Sequence, residues 1–250
     1  MSATLRKVLG YVGAVIVTIV GWHLASLALA NPALPTPLDA FRQLAEQLPV
    51  LAPHFWASTL RVLVSMAISL ALGAPLGLLL GRSPRTDAVL GPIVFLNYPL
   101  PKAVFIPVLW VLIGIGDASL ITLITVILFF QIVVTTRDAA RAIPSSSVTS
   151  VRSLGANRWQ VLVHVIVPAA LPEIFTALRI TTGTAVAVLF FSETVAGSTG
   201  LGYYIFDAWG RVQYGQMFAG ILAMALLGVV LYEALELIES RVCRWARAGR

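Results

Sequence analysis

Long apolar runs, separated by short polar turns, occupy most of this chain. A helix that crosses a membrane needs about 20 predominantly apolar residues. Runs of about that length or longer occur six times, at residues 8–30, 58–81, 88–113, 118–135, 171–192 and 215–237. The pattern therefore predicts an all-α integral membrane protein with about six transmembrane helices.

The segments between these runs predict their own structures. A proline-marked loop at 31–37 leads into an amphipathic piece at 38–48. The third run contains Pro99, Pro101 and Pro107, and we expect these prolines to break it because proline lacks a backbone donor. A polar, basic segment covers 137–170, and a loop is expected from 193 to 214.

Composition excludes a soluble protein of this length. The 250 residues are 58% hydrophobic and only 11% charged, with a mean hydropathy of +0.90, whereas soluble domains carry about 25% charged residues. A net charge of +6 would suggest nucleic-acid binding in a soluble protein. Here the basic residues lie near the ends of apolar runs, which indicates membrane orientation and no nucleic-acid partner. Lone Cys243 cannot form an intrachain disulfide, and no Cys/His cluster predicts a metal site.

The basic residues also predict the orientation, since cytoplasmic loops of membrane proteins are enriched in Lys and Arg. We place the N-terminus in the cytoplasm and count an even number of spans. The loops on the opposite side of the membrane then hold only Arg42 and Arg211. The cytoplasmic segments then hold Arg6, Lys7, Arg82, Arg85, Arg137, Arg141, Arg152, Arg158, Arg241, Arg244, Arg247 and Arg250. Both termini are expected to be cytoplasmic.

A stripe of glycines marks the second run. Gly73, Gly77 and Gly81 recur at every fourth residue, and small residues at this spacing let helices in lipid approach closely. The stripe fits a helix-packing surface, or a helix that lines a pathway and moves; the sequence leaves both open.

Two ionisable residues lie at apolar runs and are candidates for the translocation pathway. Lys102 follows Pro101 at the break in the third run, and a pore-facing Lys102 would favour an anionic substrate. Glu193 ends the fifth run before a turn that contains Gly200 and Gly202, and we consider this turn a gate or lining element. The alternatives are a snorkelling lysine and a solvated carboxylate at an ordinary membrane exit.

Other polar and aromatic residues near span ends have simpler interpretations. Arg61 and Arg179 are expected to snorkel towards the membrane surface. Interfacial aromatic residues commonly form a belt, and this interpretation covers Tyr203, Tyr204, Trp209 and Tyr214.

The polar segment contains the most informative stretch, residues 149–168. Its apolar residues recur at spacings of three to four, which predicts a short helix with one apolar face; they are Val151, Leu154, Trp159, Leu162, Val165 and Ile166. A short amphipathic helix on the water side of a membrane protein suggests docking to a soluble partner. The chain itself has no phosphate-binding loop: neither Lys7 nor Lys102 stands in a Gly-Lys-Ser/Thr context. ATP hydrolysis would have to come from another polypeptide.

Several segments together resemble a known family. They are Leu34–Pro37, Tyr98–Lys102 with Pro107, Trp110–Asp117, Ser153–Trp159, Pro168–Pro172 and Glu193 with Gly200–Gly202. In order and spacing they resemble the permease subunits of taurine, alkanesulfonate and nitrate ABC importers. Stretch 149–168 resembles the cytoplasmic "EAA" loop of such permeases, with Thr149, Ser150 and Val151 where Glu-Ala-Ala would stand. This difference puts one polar contact to the ATPase in doubt.

The resemblance implies the type I importer (MetI-like) permease fold in a bacterial inner membrane. One permease domain would cover 1–250, with its core at about 55–240, an N-terminal span and periplasmic loop at 1–54, and the EAA-like loop at 137–170. The implied partners are a second copy of the chain, two cytoplasmic ATPase subunits that bind ATP and Mg²⁺, and an external substrate-binding protein. The residues implied in ATPase coupling are Arg152, Leu154, Gly155, Ala156, Arg158, Trp159 and Pro168.

Two other classes of protein fit the sequence less well. A stand-alone secondary transporter or channel would predict an inverted internal repeat, and the two halves differ in loops and charge. An intramembrane enzyme would need paired acids or a nucleophile beside a base, and none stands at a useful spacing. The sequence leaves the transported molecule open.

Overall fold

A computed structural model describes residues 3–246 of the chain, with the side chains of 3–8 and Tyr11 left out. Of the residues used above for orientation, Arg247 and Arg250 lie outside the described part, as do the side chains of Arg6 and Lys7. The described chain is built from helices joined by short turns. In chain order they are α1 Ala3–Leu29, α2 Pro37–Arg82, α3 Pro84–Asn97, α4 Ile106–Ile113, α5 Asp117–Ala142, α6 Ser145–Ser153, α7 Arg158–Val161, α8 Val167–Ala196, α9 Leu201–Gly210 and α10 Tyr214–Val242.

The predicted number of spans is confirmed. Five segments are long and apolar enough to cross a membrane: Val12–Leu29, α2, α5, Arg158–Ala196 and α10. A sixth is a bent pair, α3 with Lys102–Ile113, in which the chain bends by 82° between the two parts. The expected break in the third run is therefore present, between Asn97 and Lys102. Pro107 does not contribute to it, because Pro107 lies in the first turn of α4, where a missing N–H costs no helical bond.

Helix α2 corrects the predicted division into an amphipathic piece and a separate span. It is one helix of 46 residues with Pro49, Pro53 and Pro75 inside it. Thr36 caps its start by accepting a hydrogen bond from the backbone N–H of Asp39 at 3.3 Å. At about 1.5 Å per residue its length of about 70 Å exceeds the roughly 30 Å hydrocarbon layer. Each proline removes one backbone hydrogen bond, and the rest of this long helix is retained.

The expected loop at 193–214 is also wrong, because α9 occupies most of it. Leu201, Tyr204, Ile205 and Ala208 of this helix are buried. These residues recur at helical spacing and give α9 an inward apolar face. Buried Tyr204 therefore does not belong to an interfacial aromatic belt, whereas Trp209 is exposed.

Helices α2, α5, α8 and α10 form the centre of the structure, and α5 is the most enclosed. Ile124, Leu128 and Ile132 follow one another at every fourth residue on α5, and none has accessible surface. Helix α1 lies at the periphery, where Val17 and Leu24 are 72% and 60% exposed. Exposed apolar side chains are expected on a surface that faces lipid or another membrane subunit.

Helices α2 and α5 run parallel, which fixes the two ends of the structure. Ser65 and Ser69 donate hydrogen bonds to the backbone carbonyls of Ile121 and Thr125, four residues further along both helices. Arg61 of α2 bonds both to Asp117, at the start of α5, and to the Thr199 carbonyl. The turns at 114–116 and 197–200 therefore lie together at one end, which we call the turn end. Residues 143–166 lie at the opposite end, called the loop end.

The glycine stripe of α2 faces α5. A Cβ atom at Gly73 would lie 3.1 Å from the Ile132 side chain, and one at Gly77 would lie 2.7 Å from the Thr136 Cβ. A Cβ at Gly81 would lie 2.6 Å from the Ala140 Cβ. The parallel helices can thus approach closely only because these positions carry no side chain.

We predict that Gly77→Ala lowers the stability of the purified protein. The added methyl group would force α2 and α5 apart, and overpacking of this kind costs about 1–3 kcal/mol. Gly21→Ala is the matched control, because no atom lies within 4 Å of its Cβ position. Thermal unfolding in detergent should show a lower Tm for Gly77→Ala alone, and equal Tm values would contradict the packing role.

Candidate functional site

The carboxylate of Glu193 is the centre of a buried polar cluster at the turn end. Glu193 has no accessible surface. It accepts hydrogen bonds from Ser58 Oγ at 2.8 and 3.0 Å, from Arg61 Nη1 at 2.6 Å and from the backbone N–H of Gly202 at 2.8 Å. The expected alternative of a solvated carboxylate is therefore wrong. A buried charge is tolerated when it is paired and hydrogen-bonded, and Glu193 is both.

Arg61 supplies the positive charge of this cluster, with only 3% of its surface exposed. Its Nε and Nη2 donate to Asp117 Oδ1 at 2.9 and 2.6 Å. Its Nη1 donates to Glu193 and, at 2.7 Å, to the Thr199 carbonyl, and its Nη2 donates to Thr199 Oγ1 at 2.7 Å. A guanidinium has five N–H donors, and all five have acceptors here. Arg61 does not snorkel; it joins α2 to the start of α5, the end of α8 and the turn before α9.

Two glycines make room for the cluster. Gly200 has φ +112°, and a Cβ atom there would overlap the Glu193 carboxylate. A Cβ at Gly202 would lie 2.7 Å from the Phe190 carbonyl oxygen and 2.8 Å from the Glu193 Cβ. Only glycine fits these approaches, and Gly200 also needs the backbone freedom of glycine.

Side chains of α2 hold the backbone of the turn that leads into α9. The Gly200 N–H donates to His54 Nδ1 at 3.0 Å, and the Leu201 N–H donates to Ser58 Oγ at 2.8 Å. The first N–H groups of a helix have no partner within the helix. His54 and Ser58 supply acceptors for two successive N–H groups near the start of α9, so two hydrogen bonds hold the turn to α2.

Lys102 lies elsewhere, at the break between α3 and α4. Its Nζ donates to the backbone carbonyls of Asn97 at 2.7 Å, Tyr98 at 3.0 Å and Leu100 at 3.4 Å. It also lies 4.6 Å from the centre of the Phe130 ring. The Asn97 carbonyl also accepts a turn hydrogen bond from the Leu100 N–H at 3.4 Å. The ammonium group supplies further donors where the chain bends, and it thereby stabilises the break.

A cavity of about 310 Å³ opens beside this lysine. Its lining includes Pro101, Lys102, Phe130 and Gln131, and the Oε1 atom of Gln131 is buried without a hydrogen-bond partner. Phe130 lies 13 residues along α5 from Asp117, a distance of about 20 Å. Within one copy of the chain, the structure does not bring the predicted pathway residues Lys102 and Glu193 together.

The predicted docking stretch, residues 149–168, lies at the loop end. We term residues 143–166, which contain most of it, the docking loop. It is not one amphipathic helix: α6 ends at Ser153, Gly155 has φ +88°, and α7 begins at Arg158. The predicted single apolar face is therefore split. Leu154 and Trp159 are 87% and 70% exposed, because the glycine turn directs the chain away from the helical path.

Inward-facing residues anchor the docking loop to the body of the protein. Val148, Val161 and Ile166 are buried. Asn157 and Gln160 form a reciprocal capping box at the start of α7, with distances of 2.8 and 2.9 Å. The loop thus presents its exposed side chains from a fixed base.

The remaining predicted coupling residues lie around this base. Ala156 packs against the core and is half-buried. The Pro168 carbonyl accepts a hydrogen bond from Trp245 Nε1 at 3.3 Å. At the end of the docking loop, directly before α8, residues Leu162–Ile166 form one turn of π-helix, a local distortion that is frequent at functional sites.

Five residues of the cluster were not predicted as site residues, namely His54, Ser58, Arg61, Asp117 and Thr199. One signal was available: Arg61 and Glu193 have opposite charges and both lie in apolar runs, where ionisable residues usually pair. Arg179 was likewise assigned to snorkelling, yet it pairs with Glu239 at 3.1 Å. The hydroxyl groups and His54 gave no sequence signal, because their roles depend on contacts between distant segments.

We predict that Arg61→Ala strongly destabilises the protein. It leaves Glu193 buried without its counter-charge, which costs about 3–5 kcal/mol. Thermal unfolding in detergent measures the change, and Arg61→Lys should be intermediate because lysine keeps the charge but not the five donors. Arg42→Ala is the control, since Arg42 forms an exposed pair with Glu46 worth under about 1 kcal/mol. Equal effects at both arginines would contradict this assignment.

Comparison with known proteins adds a family and a fold. Residues 73–244 match the family described as binding-protein-dependent transport system inner membrane component. The chain is 31% identical to the taurine transport system permease protein TauC of Escherichia coli K12, over 90% of this chain and 85% of TauC. It is 29% identical to the putative aliphatic sulfonates transport permease protein SsuC of Bacillus subtilis 168, over 85% and 78%.

The same similarity extends to a nitrate permease and to a solved structure. The nitrate import permease protein NrtB of a Synechocystis strain is 26% identical over 76% of this chain and 69% of NrtB. A chain of the inward-facing MetNI methionine ABC transporter superposes with a TM-score of 0.66 at 23% identity, covering 79% of this chain and 98% of that one. The expected MetI-like fold is confirmed by this superposition.

Proposed function

The chain belongs to the family of binding-protein-dependent transport system inner membrane components, and on that premise we propose that two copies of it enclose the passage for a small anionic solute. It is a multi-pass permease subunit of an ABC importer, and the family is a transport component rather than an enzyme. Taurine, aliphatic sulfonates and nitrate, named for three relatives, share a negatively charged oxyanion group.

The docking loop is the observation that carries the proposal. It places two large apolar side chains, Leu154 and Trp159, in solvent at one end of a membrane protein. Exposed apolar groups on a rigid base are typical of a protein-binding surface. We assign this surface to a cytoplasmic ATPase subunit, one per permease copy, which binds ATP and Mg²⁺.

This assignment sets the orientation. The docking loop and both termini would lie in the cytoplasm of a bacterial inner membrane. The turn end, with the Arg61–Glu193 cluster, would face the external substrate-binding protein. Arg82, Arg85 and Arg137 would then lie on the cytoplasmic side, in agreement with the basic bias of cytoplasmic loops.

We assign two parts of the chain to the translocation pathway. Pro101 and Lys102 would line it beside the cavity at the bent span, where a positive charge attracts an anion. Glu193, Gly200 and Gly202 would form an outer gate, because they fix the turn at 197–200. Transport then requires alternation between two shapes of the passage, and ATP binding by the partner would bias that equilibrium.

We predict that Gly155→Val uncouples ATP hydrolysis from uptake. A β-branched residue cannot readily adopt φ +88°, so Leu154 and Trp159 would be displaced, although nothing crowds the Cβ position. Uptake into proteoliposomes with ATPase and binding protein should fall at least about tenfold, which corresponds to about 1.4 kcal/mol, while membrane abundance stays unchanged. Gly155→Asn is the matched control because asparagine tolerates positive φ. Normal uptake by Gly155→Val would refute the coupling role.

We predict that Lys102→Gln raises the KM for uptake of an anionic solute. The amide still donates to backbone carbonyls but lacks the positive charge; a charged hydrogen bond contributes about 1.5–3 kcal/mol, so the rise should be about tenfold. Lys102→Arg should retain uptake because it keeps the charge. The test measures taurine, sulfonate or nitrate uptake in the same proteoliposomes. Unaltered kinetics in Lys102→Gln would remove Lys102 from the pathway.

A further inference from the structure

The docking loop carries positive charge without any negative charge of its own. No aspartate or glutamate occurs between Asp138 and Glu173. Within that stretch, Arg152 and Arg158 are exposed and flank the turn that presents Leu154 and Trp159. Thr149 is uncharged, and its hydroxyl donates to the Ser145 carbonyl at 3.0 Å.

Three arginines that lie between the long helices behave differently, because carboxylates of the same chain pair with them. Arg61 pairs with Glu193, Arg137 with Asp87 at 2.6 Å, and Arg179 with Glu239. By contrast, no carboxylate of residues 3–246 lies within 4 Å of the guanidinium groups of the docking loop. Their charge is left for a group outside this chain.

The shape of the docking loop favours a protein partner over a lipid surface. A helix that lies on a membrane needs a long continuous apolar face. Here the glycine turn divides the loop into helices of 9 and 4 residues, α6 and α7. The two exposed apolar side chains lie at this turn, each within two residues of an exposed arginine. Interfaces with an apolar centre and a polar rim combine the same kinds of residue.

We infer that the ATPase groove receiving this loop has an apolar floor for Leu154 and Trp159 and carboxylates on its rim facing Arg152 and Arg158. This inference rests on the proposed function and adds the chemistry of the partner. Positive charge on the permease would steer the encounter with the acidic groove. Trp159 would supply most of the affinity, as buried tryptophans commonly do in interfaces.

The test measures binding of the purified ABC ATPase subunit that supports uptake with this permease, using the permease in nanodiscs. The double variant R152E/R158E should bind roughly tenfold more weakly, since it converts attraction into repulsion at two rim positions. The double variant R152K/R158K should bind normally because it retains the charge. Arg85→Glu is the control for charge reversal, because Arg85 is exposed at the same end of the protein and outside the docking loop.

Salt dependence gives a second readout that does not rely on a charge reversal. Added NaCl should weaken ATPase binding of the unaltered permease, because salt screens exposed charges. It should have little effect on the neutral double variant R152Q/R158Q. A merely structural role of these arginines would not produce this difference.

The outcomes separate this inference from the proposed function. If Trp159→Ala abolishes ATPase binding while R152E/R158E and salt have no effect, the acidic rim is wrong and the permease function stands. If the ATPase binds no form of the permease, the proposed function fails. If the arginine variants change only the response to anionic lipid in the nanodisc, the arginines face lipid headgroups and the inference is overturned.

Discussion

The buried ion pair between Arg61 and Glu193 is the interaction on which the turn end depends. Charges removed from water are stable only with nearby counter-charges and complete hydrogen bonding, and Arg61 uses every donor it has. Because its acceptors lie on α5, on α8 and at Thr199, one side chain fixes three otherwise separate segments to α2. The short turn before α9 is held by the same contacts, so these parts of one copy are expected to move together.

The two ends of the protein differ in whether their charged side chains are paired within the chain. At the turn end, opposite charges of the same chain neutralise one another in a buried place. At the loop end, Arg152 and Arg158 remain exposed beside Leu154 and Trp159. The buried charges are paired within the chain, whereas the exposed arginines and apolar side chains can contact another protein. Helices α2 and α5 run between the two ends and pack closely along a row of glycines.

Much of the fold could be predicted because the hydrocarbon layer of a membrane permits so few kinds of backbone structure. Apolar runs of about 20 residues identify spans, and the prolines around Pro99 predicted the break in the third run. The predicted helix boundaries were wrong where tertiary packing outweighed the local sequence signals. The amphipathic piece at 38–48 and the span at 58–81 were predicted as separate elements, yet α2 continues through Pro49 and Pro53 and joins them. Helix α9 was missed because its inward apolar face is short, and because the turn before it is held by side chains from α2.

The sequence by itself determined the class of protein, the approximate spans and the family, since all of these follow from local composition, spacing and motif. It also predicted the position of the docking element. Only the tertiary structure decided which polar residues act together. Arg61, Asp117 and Glu193 are separated by 56 residues or more, so no local pattern connects them. The structure also decided that Lys102 stabilises a bend in the backbone and that Gly155 splits the docking loop. The physical reason is that burial, hydrogen bonding and backbone angles depend on neighbours in space, which a linear pattern does not specify.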